Sequence, residues 1–371
     1  MTDLACTAAA PVKADARSTA RGVGLFAVDA ALYACLFALA TTAEDAMIRA
    51  ALSVGLGFAV SFLFLVGHDA CHNALTPSTR LNRILGTLAF LPSYHPFSLW
   101  RLGHNQTHHG FTNLKGKDYV FAPLSPTEYA ALPRSRQWEY RFYRSLAGIP
   151  LYFLVEIWWK RMLAYELTVE ADRRRPEYRK DRAIVLAFAA AQVAVLALVG
   201  RPSGVTELAL DVAVVVVIPF LIWKALASFL IWLHHTHPQV RWYDDPARWS
   251  KETDQTRSTV HVVFPGPINL VLHRIMEHTA HHQSPATPCY ALRDAQEEIE
   301  QQRGADVTIE HWTLRRFLRG VRACKLYDFE ADRWVDFDGT PAVQAALSPG
   351  STASRPSACT SATSSACRRS T

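Results

Sequence analysis

Eleven of the fifteen histidines in this chain fall into four tight clusters, and each cluster lies just beyond a long apolar stretch. The clusters are His68 and His72 in HDACH, His104, His108 and His109 in HNQTHH, His234, His235 and His237 in HHTHP, and His278, His281 and His282 in HTAHH. Histidines three or four residues apart share one face of a helix, so each cluster can direct several ring nitrogens to one point. The fold must therefore accommodate convergent polar rings at the ends of apolar segments.

The number of clustered histidines predicts more than one metal ion. A structural zinc ion uses four ligands and a catalytic zinc ion uses three with a water, so eight or more convergent histidines indicate two metals. The ligand type does not identify the metal, because imidazole suits iron, copper, nickel and zinc. The spacing also differs from the Glu-x-x-His pairs that build the dimetal sites of soluble helical bundles.

Four apolar stretches are close to the ~20 residues that a membrane-spanning helix needs. They are residues 23–42, 47–66, 183–199 and 208–233. Short connections within each pair predict two helical hairpins, and a chain that is 50% hydrophobic is more apolar than an ordinary globular domain. Lys224 lies inside the fourth stretch, where we expect it to snorkel toward the interface, with a place in the protein interior as the alternative.

The distribution of positive charge predicts the orientation. Lys13, Arg17 and Arg21 precede the first stretch, and residues 80–182 are rich in Arg and Lys, whereas Arg201 is the one basic residue between paired stretches. The positive-inside rule then places the N-terminus, the central region and the C-terminal region in the cytoplasm, with all four clusters on one side. The net charge of +6 suits an anionic membrane surface and an acidic protein partner, and we predict no nucleic-acid binding.

We therefore predict an all-α integral membrane protein with four transmembrane helices in two hairpins and a cytoplasmic helical cap that holds a poly-histidine dimetal site. Residues 1–22 form a cytoplasmic segment, residues 23–347 one domain, and residues 348–371 a disordered tail rich in Ser, Thr and Ala. Residues 294–302 and 312–322 have the pattern of short amphipathic helices over the site.

The motifs resemble those of a known family. HDACH, HNQTHH and HTAHH resemble the three histidine boxes of the membrane fatty acid desaturases, in the same order and at similar separations. HHTHP resembles the QHTHP segment after the fourth span of the omega-6 (delta-12) acyl desaturases, and TPCYAL resembles their IPxYxL segment after the third box. The second box departs from the omega-6 pattern, because three residues rather than two separate its first histidine from the HH pair.

The resemblance implies a non-haem di-iron enzyme that uses O2 to introduce a cis double bond, of the omega-6 type, into a fatty acyl chain linked to a lipid, coenzyme A or a carrier protein. Carried over residue by residue, the iron ligands are His68, His72, His104, His108, His109, His278, His281 and His282. A ninth ligand would come from His235 or His237, while His234 stands where the family has Gln.

The groups around the ligands also follow from this resemblance and from general chemistry. Metal-bound imidazoles need a hydrogen-bond acceptor on their second nitrogen, and Asp69, Asp118 and Glu277 are candidates. His95-Pro96 does not continue into the HPGG motif of a fused haem domain, so a separate ferredoxin or small haem protein would supply electrons.

Three other classes compete with this interpretation. A hydroxylase, ketolase or acetylenase of the same di-iron type would share the boxes. A zinc hydrolase would need an HExxH-like motif, which the chain lacks. A membrane haem electron carrier would bury single histidines within facing spans, whereas these histidines lie at span ends. The Ala- and Arg-rich composition favours a bacterial inner membrane as the location.

Overall fold

The computed structural model describes residues 16–164 and 176–342, and helices dominate both ranges. The α-helices are α1 Thr19–Thr42, α2 Ala46–Cys71, α3 Thr79–Phe90, α4 Phe97–Arg101, α5 Pro126–Ala131, α6 Arg134–Tyr143, α7 Gly148–Tyr152, α8 Pro176–Val199, α9 Val205–Val212, α10 Ile218–His235, α11 Pro246–Glu252, α12 Ile268–Val271, α13 His278–Gln283, α14 Leu292–Arg303 and α15 Leu314–Ala323. The strands are β1 Val260–Val263, β2 Thr308–His311, β3 Leu326–Asp328 and β4 Arg333–Val335. The predicted tail at 348–371 lies outside the described residues.

Several helices are extended by tighter or wider turns. The π-helical segments are Leu102–His108 after α4, Phe153–Leu163 after α7 and Ala213–Val217 between α9 and α10. The 3-10 segments are Leu91–Ser93, His109–Phe111 and Cys289–Ala291. Through its π segment, α9 continues into α10 as one long helix.

Four helices are long and apolar enough to cross a membrane, as the sequence predicts. They are Thr19–Thr42, Ala46–Cys71, Pro176–Val199 and Val205–His235. Side-chain caps fix where the first two begin, because Ser18 accepts a hydrogen bond from the backbone N–H of Arg21, and Asp45 accepts one from that of Ile48. Helix α2 continues beyond its apolar stretch to Cys71, so the first histidine cluster begins inside its last turn.

Helices α2 and α10 form the inner layer of the four. Helix α2 packs against α1, α3 and α10. In its most apolar window 61% of the residues are buried, against 11% in α1 and 17% in α8. The outer helices α1 and α8 therefore direct most of their apolar side chains away from the protein, as lipid-facing helices do.

Lys224 lies in the protein interior, so the snorkelling expectation for it is wrong. The side chain is 1% exposed, and Nζ lies 3.9 Å from the ring centroid of Trp223, 4.8 Å from that of Trp158 and 5.0 Å from that of Phe220. These rings surround the amine because Lys224 occupies the inner face of α10 rather than its end. Aromatic faces attract a cation in such positions.

A layer of short helices and strands covers the histidine-bearing ends of α2 and α10. Strands β1 and β2 pair in parallel, and β3 and β4 pair antiparallel. The two predicted amphipathic helices are present as α14 and α15. One hydrophobic core joins this layer to the end of α10, and it includes Trp232, Trp242, Val262 and Tyr327. The histidine clusters therefore lie between the long helices and this layer.

Candidate metal centre

The structure sorts nine of the clustered histidines into two adjacent groups. The first group is His68, His72, His104, His109 and His281. The second group is His108, His235, His278 and His282. Within each group the potential ligand atoms all lie within 4.8 Å of one another. The groups touch where the rings of His109 and His282 stack, with centroids 4.0 Å apart.

Ring nitrogens converge in both groups at short distances. In the first group, Nε2 of His104 lies 2.8 Å from Nε2 of His68 and 3.2 Å from Nε2 of His109. In the second, Nε2 of His235 lies 3.1 Å from Nε2 of His108 and 3.0 Å from Nε2 of His278. Two nitrogens bound to one ion at about 2.1 Å are separated by roughly 3.0–3.4 Å at octahedral or tetrahedral angles. The histidine sets therefore fit two metal ions.

The environment keeps these rings in the form that binds metal. Burial, followed by the proximity of other histidine rings, holds the pKa of His104, His109 and His281 well below its usual value. The same causes lower the pKa of His278 and His282. Because the neutral imidazole is the metal ligand, the site is prepared to take metal without first releasing protons at neutral pH.

The Asp118 carboxylate hydrogen-bonds to the His108 ring at the nitrogen that faces away from the second group. Its carboxylate oxygens both lie 3.1 Å from Nδ1 of His108. They also accept the backbone N–H groups of Asn113 and Val120, each at 3.0 Å. With Nδ1–H donated to the carboxylate, Nε2 of His108 is left as the unprotonated nitrogen that faces the second group.

An apolar cavity opens beside both groups. Histidines from each group border it, including His68 and His104 from the first and His108 and His278 from the second. Its apolar lining comes from α2, α4, α10 and the π-helical segment after α7. It includes Phe64, Trp100, Phe153, Ile157, Trp223, Ala227 and Leu230. The cavity therefore lies between apolar side chains of the spans and the convergent histidines.

Comparison with known proteins places the chain in a family. The family described as fatty acid desaturase matches residues 46–313, a range that contains all four histidine clusters. This chain belongs to the fatty acid desaturase family.

Curated members of the desaturase family align with most of the chain. An omega-6 fatty acid desaturase of the chloroplast from Arabidopsis thaliana is 29% identical over 285 residues, which are 76% of this chain and 60% of that protein. An sn-1 oleoyl-lipid 12-desaturase from Synechocystis sp. is 30% identical over 276 residues, which are 74% of each chain. The chain thus spans about 60% of the length of the plant relative and about three quarters of the cyanobacterial one.

The second desaturase box owes its geometry to a π-helical turn. Residues 102–108 form π turns, and the backbone N–H of His109 donates to the carbonyl of His104, five residues earlier. The i to i+5 pattern of a π-helix places these two residues above one another. His104 and His109 therefore share the first group, while His108 turns to the second. The extra residue in this box fits that wider turn.

The segment after the fourth span contributes one histidine to the groups. Helix α10 ends at His235, whose ring enters the second group. The structure does not bring His237 into either group, because the chain becomes extended at Thr236 and Nε2 of His237 lies 3.4 Å from the Glu310 carboxylate. His234 stacks on His278 at 3.7 Å and directs Nε2 toward Met276.

Two of the three candidate carboxylates have partners other than a ligand ring. Asp69 accepts the backbone N–H of Cys289 at 2.7 Å, and its nearest approach to Nδ1 of His68 is 3.7 Å. Glu277 accepts a hydrogen bond from Arg274 at 3.3 Å, and burial raises its pKa. Asp118 is therefore the candidate that the structure joins to a ligand ring by hydrogen bonds.

Sequence reasoning missed several groups that position the rings. Nδ1 of His282 lies 3.3 Å from the Gln255 side-chain oxygen and 3.4 Å from the Thr112 hydroxyl. The carbonyl of Ile275 lies 3.3 Å from Nδ1 of His278. A backbone carbonyl leaves no mark in sequence, and Gln255 and Thr112 lie in loops remote from the box they support.

Proposed function

We propose that this protein is a membrane desaturase that introduces a double bond into the acyl chain of a membrane lipid, at the omega-6 or delta-12 position. The observation that carries the proposal is the apolar cavity bordered by both histidine groups. The names of the relatives, an omega-6 fatty acid desaturase and an oleoyl-lipid 12-desaturase, support the substrate class and the position.

We assign the metal as iron, because the desaturase family is a di-iron one and imidazole suits iron. The five histidines of the first group would hold one ion and the four of the second group the other. The proposed set includes His235 as the ninth ligand and leaves out His237. With O2 as co-substrate, bound iron supplies the oxidising chemistry that no side-chain acid or base provides for an unactivated C–H bond.

The protein's own residues position the chain and exclude water. The aromatic and aliphatic lining of the cavity buries the acyl chain beside the histidines, which favours binding through the hydrophobic effect. Asp118 fixes the tautomer and direction of the His108 ring. Reducing O2 to two waters takes four electrons and four protons, of which the two hydrogens removed from the acyl chain supply two of each. The other two protons come from water, and we assign the other two electrons to a separate ferredoxin or small haem protein.

The packing of the helix ends supports a proposal for the arrangement in the membrane. The Arg17 guanidinium donates to the carbonyl of Asn73, and Arg21 lies over the Tyr290 ring, 5.3 Å from its centroid. The start of α1 therefore adjoins the end of α2 and the segment after the third box. We propose two hairpins in a bacterial inner membrane, with the histidine groups on the cytoplasmic side, in agreement with the positive-inside rule.

Product analysis tests this function. The chain is expressed in a bacterial host fed oleate, and total fatty acids are analysed by mass spectrometry. We expect a new diene that is absent from a His281→Ala variant and present in His311→Ala, which changes an exposed histidine outside both groups. A hydroxylated or acetylenic product would replace the proposal with a sibling di-iron reaction, and a diene made by both variants would contradict the metal site.

A further inference from the structure

The loop that joins β1 to the third histidine box begins with an uncharged stretch. Residues 262–272 contain no charged side chain. Ile268, Leu270 and Val271 expose 41%, 60% and 49% of their surface. The one polar side chain, Asn269, is turned inward, where it accepts the backbone N–H of Phe264 and donates to the carbonyl of Val262. The outer face of the loop is therefore entirely apolar.

Two contacts place this loop beside the first two membrane spans, inside their apolar stretches. Nε2 of His273 lies 2.8 Å from the Asp29 carboxylate, and the His273 ring meets the Phe62 ring edge-on at 6.3 Å. Asp29 is six residues inside the first apolar stretch, which begins at residue 23, and Phe62 is four residues inside the second, which ends at residue 66. Both therefore lie about 6–9 Å along the apolar spans at 1.5 Å per residue. The hydrocarbon core is about 30 Å thick, so these contacts lie about a fifth to a third of the way into it.

Among the described residues, this loop supplies the hydrogen-bond partner of the Asp29 carboxylate. Asp29 is 6% exposed within the first span. A carboxylate at that depth is costly unless it is paired. The chain reverses direction there, since His273 and Arg274 both adopt the left-handed conformation with φ of 46° and 59°. The reversal returns the backbone to Ile275, which lines the cavity.

The backbone of the loop suits contact with lipid. Pro265 and Pro267 have no N–H to satisfy. The N–H groups of Val271 and Leu272 donate to the carbonyls of Pro267 and Ile268, and that of Arg274 donates to Asn269. Backbone donors that face hydrocarbon must be satisfied within the protein, and the N–H groups of Val271, Leu272 and Arg274 meet this condition.

We propose that residues 264–276 form a re-entrant loop whose apolar face contacts the hydrocarbon of the lipid bilayer, and that Ile275 forms part of the wall between the bilayer and the acyl cavity. This inference rests on the membrane placement of the four spans proposed above. The lipid contact explains why three large apolar side chains remain exposed on one short helix, α12.

Depth-dependent fluorescence quenching tests the loop in proteoliposomes. An environment-sensitive label is attached to Leu270→Cys in full-length protein whose exposed Cys35 and whose Cys6, Cys359 and Cys367 are replaced by Ser. Val28→Cys is the matched control, because Val28 is 67% exposed and adjoins Asp29 at the same depth, and Gln301→Cys marks an exposed position on α14. We expect nitroxide-labelled lipid to quench the Leu270 and Val28 labels several-fold more than the Gln301 label.

The two controls separate the possible failures. Quenching of the Leu270 label by aqueous iodide, together with lipid quenching of the Val28 label, overturns the loop proposal and leaves the membrane placement intact. Iodide quenching at Val28 overturns the membrane placement itself. Should Leu270→Cys fail to fold, as judged by lost iron, Val271→Cys carries the same expectation.

Discussion

Replacement of Asp118 by Asn tests whether this carboxylate supports the metal centre. The buried carboxylate accepts three hydrogen bonds, from His108 Nδ1 and from the backbone N–H groups of Asn113 and Val120. An amide has one accepting oxygen and an NH2 group, so Asn cannot accept with both atoms and loses the charge that strengthens the bond to His108.

The expected size of the effect follows from the role of the carboxylate behind a ligand ring. Loss of such a partner typically lowers metal affinity 10- to 100-fold. That factor corresponds to about 1.4–2.7 kcal/mol at ~1.36 kcal/mol per tenfold. We expect purified Asp118→Asn to release its iron at a concentration of competing chelator that is 10- to 100-fold lower than the concentration the unchanged protein requires.

Glu277→Gln is the matched control for this experiment. Glu277 is also a buried carboxylate next to a histidine box, but its described hydrogen bond is to Arg274. We expect its iron affinity to stay within about twofold of the unchanged protein, since no bond to a ligand ring is lost. Equal affinities for the unchanged protein and Asp118→Asn, or a larger loss in Glu277→Gln, would refute the assignment.

Three further predictions concern the ligands, the cavity and pH. His235→Ala is expected to lose at least one of the two irons while His237→Ala keeps both, and equal iron contents in the purified variants would contradict the ligand set. Ala227→Leu fills the cavity at a point about 12 Å along α10 from His235. In cells fed palmitoleate and oleate, the desaturated products should therefore shift toward the shorter chain. An unchanged ratio of the two products argues against this cavity as the acyl site. Burial holds the pKa of His281 well below its usual value, so below about pH 6.5 the unfolded chain binds more protons than the folded one. Thermal unfolding of iron-depleted protein should therefore occur at a lower temperature as the pH falls from about 7 to 5, and a rise would contradict the burial of neutral rings.

The four spans and eight of the candidate metal-binding histidines could be predicted because they depend on composition and local spacing. A stretch of apolar residues long enough to cross a bilayer is visible in the sequence, and all four such helices are present. Eight box histidines identified by resemblance all lie in the two groups. These features depend little on how the helices pack against one another.

The division of the histidines between the two groups could not be predicted. Helical spacing of four pairs His104 with His108, but the π-helical turn separates them and pairs His104 with His109 instead. A π turn depends on tertiary packing rather than on local propensity. The direction of the His237 side chain likewise depends on where α10 ends. The burial of Lys224 depends on which face of α10 is turned toward the protein interior.

The choice among the three carboxylates also required the structure. Asp69 adjoins His68 in sequence and Glu277 adjoins His278, yet Asp118, ten residues from His108, makes the hydrogen bonds to a ligand ring. Adjacent side chains on a helix point in different directions, so sequence proximity disfavours contact between them. The loop after the second box returns Asp118 to His108 through the backbone bonds of Asn113 and Val120.

Iron analysis combined with Mössbauer spectroscopy of the purified protein tests the central claim most directly. Five histidines in one group and four in the other would give two irons in different environments. We predict two irons per chain and two quadrupole doublets of equal area, and we expect His281→Ala to lose the doublet of the first group together with diene formation. One iron per chain, or zinc in place of iron in an active preparation, would contradict the account.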